Sequence, residues 1–381
     1  MMKYYIIAGE ASGDLHGSNL VVELKKLDAL ANIRCWGGDK MEAAGATLVK
    51  HYRQLAFMGF VEVVKNLRTI FKNLAFCKDD ILQFQPDALV LIDYPGFNLR
   101  IAEWARKQGL KIVFYISPQV WAWKENRVKA IKRDIDRMIV ILPFEKEFYK
   151  KWNYEVDYVG HPLVQVVKEF KSSHVKNPAA FLNSFAPDIN EASPQLIALL
   201  PGSRKQEILK KLPYMLEVSK HFPAFHFVVA KAPGIEDDFY DELLAPYTNV
   251  SAVVNRTYEL LNVSVAALVT SGTATLETAL FGVPEVICYK GSSISYQIAK
   301  RLISIKYICL VNLIMDKEVV KELIQDELTI ANIKKELNLI LFDAEKKQQL
   351  KVDYEALMNL LNQGGNASSN AARLIFNDVK N

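Results

Sequence analysis

The sequence predicts an α/β protein built from two successive doubly wound units, each a parallel sheet covered by helices. Three observations predict it. Short apolar runs alternate with longer amphipathic stretches from the first residue onward, the pattern of a sheet buried on both faces. The alternation breaks across residues 171–194, with Ser172, Ser173 and Pro178 and then a polar stretch, and it restarts at Leu196. The chain of 381 residues suits two or three domains at roughly 100–200 residues each.

The first unit reads as strands at 4–8, 33–36, 88–92, 111–116, 138–142 and 157–159. Helical patterns at 16–27, 97–108 and 125–133 lie between them. The second reads as strands at 196–200, 225–229, 266–270 and 285–288, with a weaker run at 250–254. Residues 362–370, rich in Gly and Ser, break the pattern before a last short helix at 371–379. The simplest arrangement is two units with a linker and a cleft between them.

Composition narrows the class. Hydrophobic residues make up 50% and charged residues 24%, which excludes disorder, collagen and coiled coil. No apolar run approaches the roughly 20 residues needed to cross a bilayer. Met1 leads straight into a strand with no cleavage site behind it, so secretion is not expected. Cys35, Cys77, Cys288 and Cys309 are scattered, which excludes a disulfide framework or a zinc ribbon. The expectation is a cytosolic protein of enzyme size. Residues 1–172 carry 26 basic against 20 acidic side chains, and the remainder 21 against 23. A basic first unit suggests an anionic ligand there. The bias is too weak for nucleic acid, and no nucleic-acid-binding motif is present.

The candidate chemistry sits in turns that follow strands. The first strand runs into Gly9-Glu10-Ala11-Ser12-Gly13-Asp14, a Gly-rich turn suited to an anion or a hydrogen-bonded sugar at a helix N-terminus. It is neither G-x-G-x-x-G nor a P-loop, and helix capping by Ser12 or Asp14 is an equal alternative. The strand at 88–92 ends in Asp93-Tyr94-Pro95-Gly96-Phe97-Asn98, where an acid is placed for proton transfer. Pro95 and Gly96 read as a loop, which favours function over capping for Asp93.

Ser117-Pro118-Gln119-Val120-Trp121-Ala122-Trp123-Lys124, followed by Arg127, offers two indoles and cations for a sugar and a phosphate. A solvated basic helix face is the alternative. In the second unit, Pro201-Gly202-Ser203-Arg204 and Ser271-Gly272-Thr273-Ala274-Thr275-Leu276-Glu277 each follow a strand. Both suit a diphosphate at a helix N-terminus, with Glu277 one turn in to accept from ribose hydroxyls. Asp134-Ile135-Asp136 precedes a strand and reads as a solvated turn. His161 either lines the cleft or makes a structural backbone bond.

Residues 57–76 are unusually apolar for a surface helix. Phe60, Val63, Val64, Leu67, Ile70, Phe71 and Leu74 fall at helical spacing among Lys65, Arg68 and Lys72. The pattern fits a core-facing helix or an interfacial one dipping into anionic lipid.

The stretches Ile7 to Asp14, Ser117 to Trp123, Leu142-Pro143-Phe144-Glu145, Val159-Gly160-His161, Leu199 to Arg204, Ser271 to Glu277 and Val311-Asn312-Leu313 occur in one order along nearly the whole chain. In that order they resemble the lipid-A-disaccharide synthases, a family of GT-B glycosyltransferases. The resemblance implies two Rossmann-like domains facing a cleft, with the last helix crossing back onto the first. Residues 1–172, with a tail at 355–381, would face acceptor and membrane, and residues 173–354 would bind the UDP-sugar.

It further implies transfer of 2,3-diacylglucosamine from its UDP ester to the 6-hydroxyl of 2,3-diacylglucosamine 1-phosphate. The products would be the β-1,6-linked disaccharide 1-phosphate and UDP, made at the cytoplasmic face of the inner membrane. The expected mechanism is inverting and uses no metal and no cofactor. Many relatives carry a second carboxylate where this chain has Gly96, so the base is sought among Asp93, Glu10 and Asp14. Donor binding falls to Gly202, Ser203, Arg204, Ser271, Gly272, Thr273, Thr275, Glu277 and Asn312. Acceptor binding falls to Ser12, Gly13, Trp121, Trp123, Lys124 and Arg127, and membrane contact to Phe60, Val64, Leu67 and Phe71. The resemblance leaves room for a homodimer. The rival expectations are another GT-B UDP-sugar transferase or epimerase with a soluble substrate, and a non-catalytic nucleotide-sugar-binding protein.

Overall fold

The computed structural model describes residues 1–55, 67–123, 125–189, 193–291 and 306–380, with the side chains of Leu67 and Trp123 outside that description. The expectations for Phe60, Val64 and Lys124, and for the side chains of Leu67 and Trp123, therefore lie outside the described residues. The chain divides into two compact units, Met1–Pro162 with Leu361–Asn381, and Leu163–Leu360.

The first unit holds strands β1 (Lys3–Ala8), β2 (Asn32–Gly37), β3 (Thr47–His51), β4 (Ala88–Ile92), β5 (Ile112–Tyr115), β6 (Arg137–Val140) and β7 (Asp157–Tyr158). The second holds β8 (Leu196–Leu200), β9 (His226–Lys231), β10 (Val250–Val254), β11 (Ser264–Thr270), β12 (Glu285–Tyr289) and β13 (Lys321–Ile324). The sheets run β3-β2-β1-β4-β5-β6-β7 and β10-β9-β8-β11-β12-β13, and their ladders are parallel. Both are doubly wound. In each, the strand order reverses beside the unit's first strand, at β1/β4 and at β8/β11. An open α/β sheet binds its ligand outside the carboxyl ends of the strands at that reversal. Central strands β4 and β8 are buried at every residue, which explains their unbroken aliphatic runs.

Edge strands β3 and β13 were not expected from the sequence. Every residue of β3 is at least partly exposed, and β13 reads Lys-Glu-Leu-Ile, so neither shows the apolar run of a central strand. The unit boundary also differs from the expected one. Helix Pro162–Ser173 carries the chain past it, and Phe170 packs edge-on against Tyr258 and Phe281, tying that helix to the second unit.

The last helix, Ala367–Lys380, packs along Ala11–Leu27 and is fastened by Asp378 to Arg137. The approach to it is backbone against backbone. A Cβ on Gly364 would lie 2.0 Å from the Gly160 nitrogen, so no side chain fits there.

Helix Leu67–Phe84 divides its apolar residues between two faces. Leu74, Cys77 and Ile81 enter the core with Ile70 packed beside them, while Phe71 is 60% exposed. Among the described residues no helix is long and apolar enough to cross a membrane.

Candidate active site

At the first reversal, β1 and β4 lie side by side with Ala8 opposite Ile92, so Glu10 and Asp93 emerge from neighbouring strand ends. The backbone between strand and helix is strained. Asp93 and Tyr94 both sit at positive φ, 45° and 49°, a conformation that costs an L-residue about 1–2 kcal/mol. Asn98 holds it in place: fully buried, its amide donates to Asp93 O at 2.7 Å, Ile92 O at 3.2 Å and Ile7 O at 3.4 Å. The Tyr94 ring lies over Gly9, where a Cβ would come within 2.3 Å of it. Gly9 is thus fixed by close approach.

The helix that follows runs Pro95–Lys107 with Tyr94 as its N-cap. Pro95 and Gly96 are its first turn, not a loop, and this corrects the sequence argument while leaving Asp93 at the strand end. Proline suits that first position because the N–H it lacks has no intrahelical partner there. A Cβ at Gly96 would meet nothing within 4 Å.

Burial first, and the charge of Glu10 second, push the Asp93 carboxyl up to about 7, against a smaller pull from the Tyr94 N–H. Two carboxylates in one site resist double ionisation. The result is an acid that loses its proton near neutrality, which suits a general base. Glu10 caps helix Ala11–Leu27 through its backbone and stays partly exposed.

Asp14 does not join them. Its Oδ1 accepts from Gly38 N at 2.8 Å and Met41 N at 3.1 Å, and Oδ2 from Lys40 N at 3.2 Å. It is a buried cap for the short helix Asp39–Ala43. Gly13 is likewise buried, its Cβ position 3.1 Å from the Ala8 Cβ, where helix packs closely on strand. Ser12 is exposed in the same turn.

Sequence reasoning passed over His16, which is buried with Nδ1 lacking a partner among the described residues. Burial lowers His16 to about 4. Burial and then His16 lower His161 to about 3. Both imidazoles are neutral near pH 7, and the His161 backbone N–H bonds to Leu361 O.

Helix Val120–Trp123 places Trp121 half-buried, edge-on to Phe144 at 5.0 Å. Beneath it Glu145 is fully enclosed and accepts from Leu142 N at 3.0 Å. Burial raises this carboxyl to about 8, opposed by hydrogen bonding. Ser117 Oγ meets Tyr149 Oη at 2.7 Å. Burial and the neighbouring Arg100 lower the Arg127 guanidinium, so two cations stand together near this segment. Asp134 and Asp136 are engaged with Arg133 and Arg106. Asp134 is buried, so that pair is structural but not the solvated turn expected.

At the second reversal, Gly202 has φ 112° and a Cβ there would meet Glu207 Oε2 at 3.0 Å. Exposed Ser203 and Arg204 lead into helix Lys205–Ser219, with Arg204 as N-cap. After β11, half-buried Ser271 leads to Gly272, the N-cap of helix Thr273–Phe281. Gly272 and Thr273 are exposed. Thr275 is buried and donates to Gly272 O at 2.9 Å, which shapes the turn. Glu277 accepts from Tyr258 Oη at 2.6 Å. Burial raises its carboxyl and the Tyr258 bond opposes this.

The Asn312 side chain is bonded within the fold. Its Oδ1 accepts from Val319 N and Val320 N, and its Nδ2 donates to Val320 O and Glu322. The amide is fully buried and its side-chain bonds are made within the protein. Glu322 and Tyr258, missed from the sequence, and Asn98, which the sequence offered only within the turn at 93–98, hold these turns; their partners come largely from other elements, which residue patterns do not display.

A family model described as lipid-A-disaccharide synthetase matches residues 4–376. A lipid-A-disaccharide synthase of Geobacter metallireducens is 40% identical over 365 residues, covering 94% of this chain and 93% of that protein. One from Coxiella burnetii is 35% identical over 377 residues, covering 98% and 97%. Among solved structures, a UDP-GlcNAc 2-epimerase from Neisseria meningitidis, bound to UDP-GlcNAc, aligns with TM-score 0.68 at 13% identity over all of both chains. The glycotransferase of kitacinnamycin aligns with TM-score 0.66 at 13% identity over 99% of each. At such identities the likeness shows the two-unit GT-B fold alone. The relatives decide between the enzymes that share it: the chain belongs to the lipid-A-disaccharide synthase family, glycosyltransferases of lipid A biosynthesis.

Proposed function

We propose that the protein transfers the 2,3-diacylglucosaminyl group of its UDP ester to the 6-hydroxyl of 2,3-diacylglucosamine 1-phosphate. The observation that carries the mechanism is Asp93, raised to about 7 beside Glu10 at a strand reversal. In this reading Asp93 takes the hydroxyl proton as that oxygen bonds to the anomeric carbon. The bond from that carbon to the diphosphate breaks, and its electron pair leaves on UDP. Attack opposite the leaving group gives the β-1,6 product by inversion.

Charge on UDP grows as the bond breaks. Arg204 and the helix N-termini at Lys205 and Thr273 are suited to meet it. Ser203, Gly202, Gly272 and Thr273 offer backbone and hydroxyl groups at the same strand ends, and Glu277 a carboxylate oxygen for the ribose. On the acceptor side, Trp121 supplies an aromatic face, and Arg127 with Arg100 the cations for the 1-phosphate. A glycolipid substrate also suits work at the cytoplasmic face of the inner membrane. Phe71, Phe76 and Leu82 project from helix Leu67–Phe84 at 60%, 48% and 48% exposure, among Arg68, Lys72 and Lys78.

Purified protein incubated with both glycolipids is expected to yield disaccharide 1-phosphate and UDP in equal amounts. UDP release without disaccharide would defeat this reading, because the acceptor hydroxyl would not be the nucleophile.

A further inference from the structure

Glu322 is a buried carboxylate on β13 for which no lysine or arginine forms an ion pair among the described residues. Its charge is met by N–H groups. Ile308 N donates to Oε2 at 3.0 Å, Cys309 N to Oε1 at 3.1 Å and Asn312 Nδ2 to Oε1 at 3.0 Å. On the other side of the same segment, Ser271 Oγ donates to Ile308 O at 2.8 Å. The Cys309 N–H and the Ile308 carbonyl belong to one peptide group. A chain of hydrogen bonds therefore runs from the Glu322 carboxylate through the 308–309 peptide to the hydroxyl that opens the Ser271-Gly272-Thr273 turn. Such chains polarise each member, and a carboxylate on the N–H makes the carbonyl a stronger acceptor.

We propose that Glu322 is a positioning residue of the donor site, which fixes Ser271 as a hydrogen-bond acceptor toward the ligand. With its proton committed to Ile308 O, the Ser271 hydroxyl keeps lone pairs to present. It pairs with a donor group of the nucleotide sugar, a hydroxyl or an amide N–H, and is mismatched to a phosphate oxygen. The diphosphate is then left to the backbone N–H groups and Arg204. This inference rests on the reading of Ser271-Gly272-Thr273 as part of the UDP-sugar site. Asn312 acts in the same device: its amide ties Glu322 to the 319–320 backbone.

The test is a double-mutant cycle on Glu322→Gln and Ser271→Ala, read by calorimetric titration with UDP and with UDP-2,3-diacylglucosamine. KM, kcat and thermal melts are measured alongside. Glu322→Gln replaces an all-acceptor group with one that turns an NH2 toward N–H donors. It should weaken binding about tenfold and raise KM more than it lowers kcat. Ser271→Ala should lose several-fold, and the double variant should be no worse than Glu322→Gln alone, because sites in one network are not additive. Loss with both ligands places the partner on the nucleoside, and loss with the UDP-sugar alone places it on the sugar; either supports the proposal. Unchanged affinity with a lowered melting temperature, or additive losses, would overturn it. If Glu322→Gln does not fold, Ser271→Ala decides alone: unchanged affinity for both ligands overturns the proposal, and a several-fold loss supports it. Wild-type protein that binds neither ligand would instead overturn the reading of the turn, and the inference with it.

Discussion

The two strand reversals share a topology and differ in almost every residue that follows their strands. At β1/β4 the turns carry acids, the backbone of Asp93 and Tyr94 is strained, and Asn98 sits fully buried behind them. At β8/β11 they carry glycine, hydroxyls and an exposed Arg204. The first arrangement raises a carboxyl toward neutrality, as proton removal requires. The second offers N–H groups and a cation, as a leaving diphosphate requires. Parallel sheets of this order supply a place where strand ends diverge; the residues after each strand decide what happens there.

The largest effect that would sharpen this contrast belongs to Asp93. Asp93→Asn keeps the shape and removes the base, so turnover should fall about 10²–10⁴-fold with UDP affinity unchanged. If Asp93→Asn stays within a few-fold of wild type while Glu10→Gln is nearly inactive, the base is Glu10. The same assignment sets a pH profile. The working form is ionised, so kcat/KM should rise with pH and level off above about 7. One pH unit below that value only about a tenth of the carboxyl is charged. A flat profile from pH 6 to 8 would remove Asp93 from proton transfer.

Arg204→Ala comes next. A hydrogen bond to a charged group is worth about 1.5–3 kcal/mol, so turnover should drop roughly 10–100-fold, more than substrate binding weakens. Equal losses in both would make Arg204 a binding residue only. Glu277→Ala should cost about 0.5–1.5 kcal/mol of UDP affinity, and calorimetry that shows no change would take it out of the site. The smallest catalytic effect is expected from Asp14→Ala. Turnover per folded molecule should stay within a few-fold, while loss of the cap lowers stability by about 0.5–2 kcal/mol, seen in a denaturant melt. A collapse of turnover without loss of stability would return Asp14 to the chemistry.

Much of this was legible in the residues, and the exceptions share a cause. Strands β4 and β8 read directly as apolar runs because their neighbours on both sides are strands; β10, an edge strand that kept its valines, reads as a weaker run. Edge strands β3 and β13 carry lysine and glutamate and gave no such signal. Within the turns, position after a strand was informative and side-chain duty was not. Asp14 and Asn312 stand in matching motifs, yet their bonds go to Gly38–Met41 and to Val319–Glu322. A carboxylate that caps and one that abstracts a proton look alike until their partners are known.

The docking of helix Ala367–Lys380 along Ala11–Leu27 sets the order in which the chain is able to fold on the ribosome. The second unit is continuous, Leu163–Leu360, and has all its strands before synthesis passes its end. The first unit is discontinuous. At about 5–20 residues per second, helix Ala11–Leu27 waits roughly 20–70 s for the helix that covers it. During that interval the flank of helix Ala11–Leu27 that the last helix covers lacks its final cover and is open to chaperones. Substitutions on the last helix should therefore lower the yield of folded protein during synthesis more than they lower the stability of molecules already folded, a difference that pulse labelling during translation would resolve.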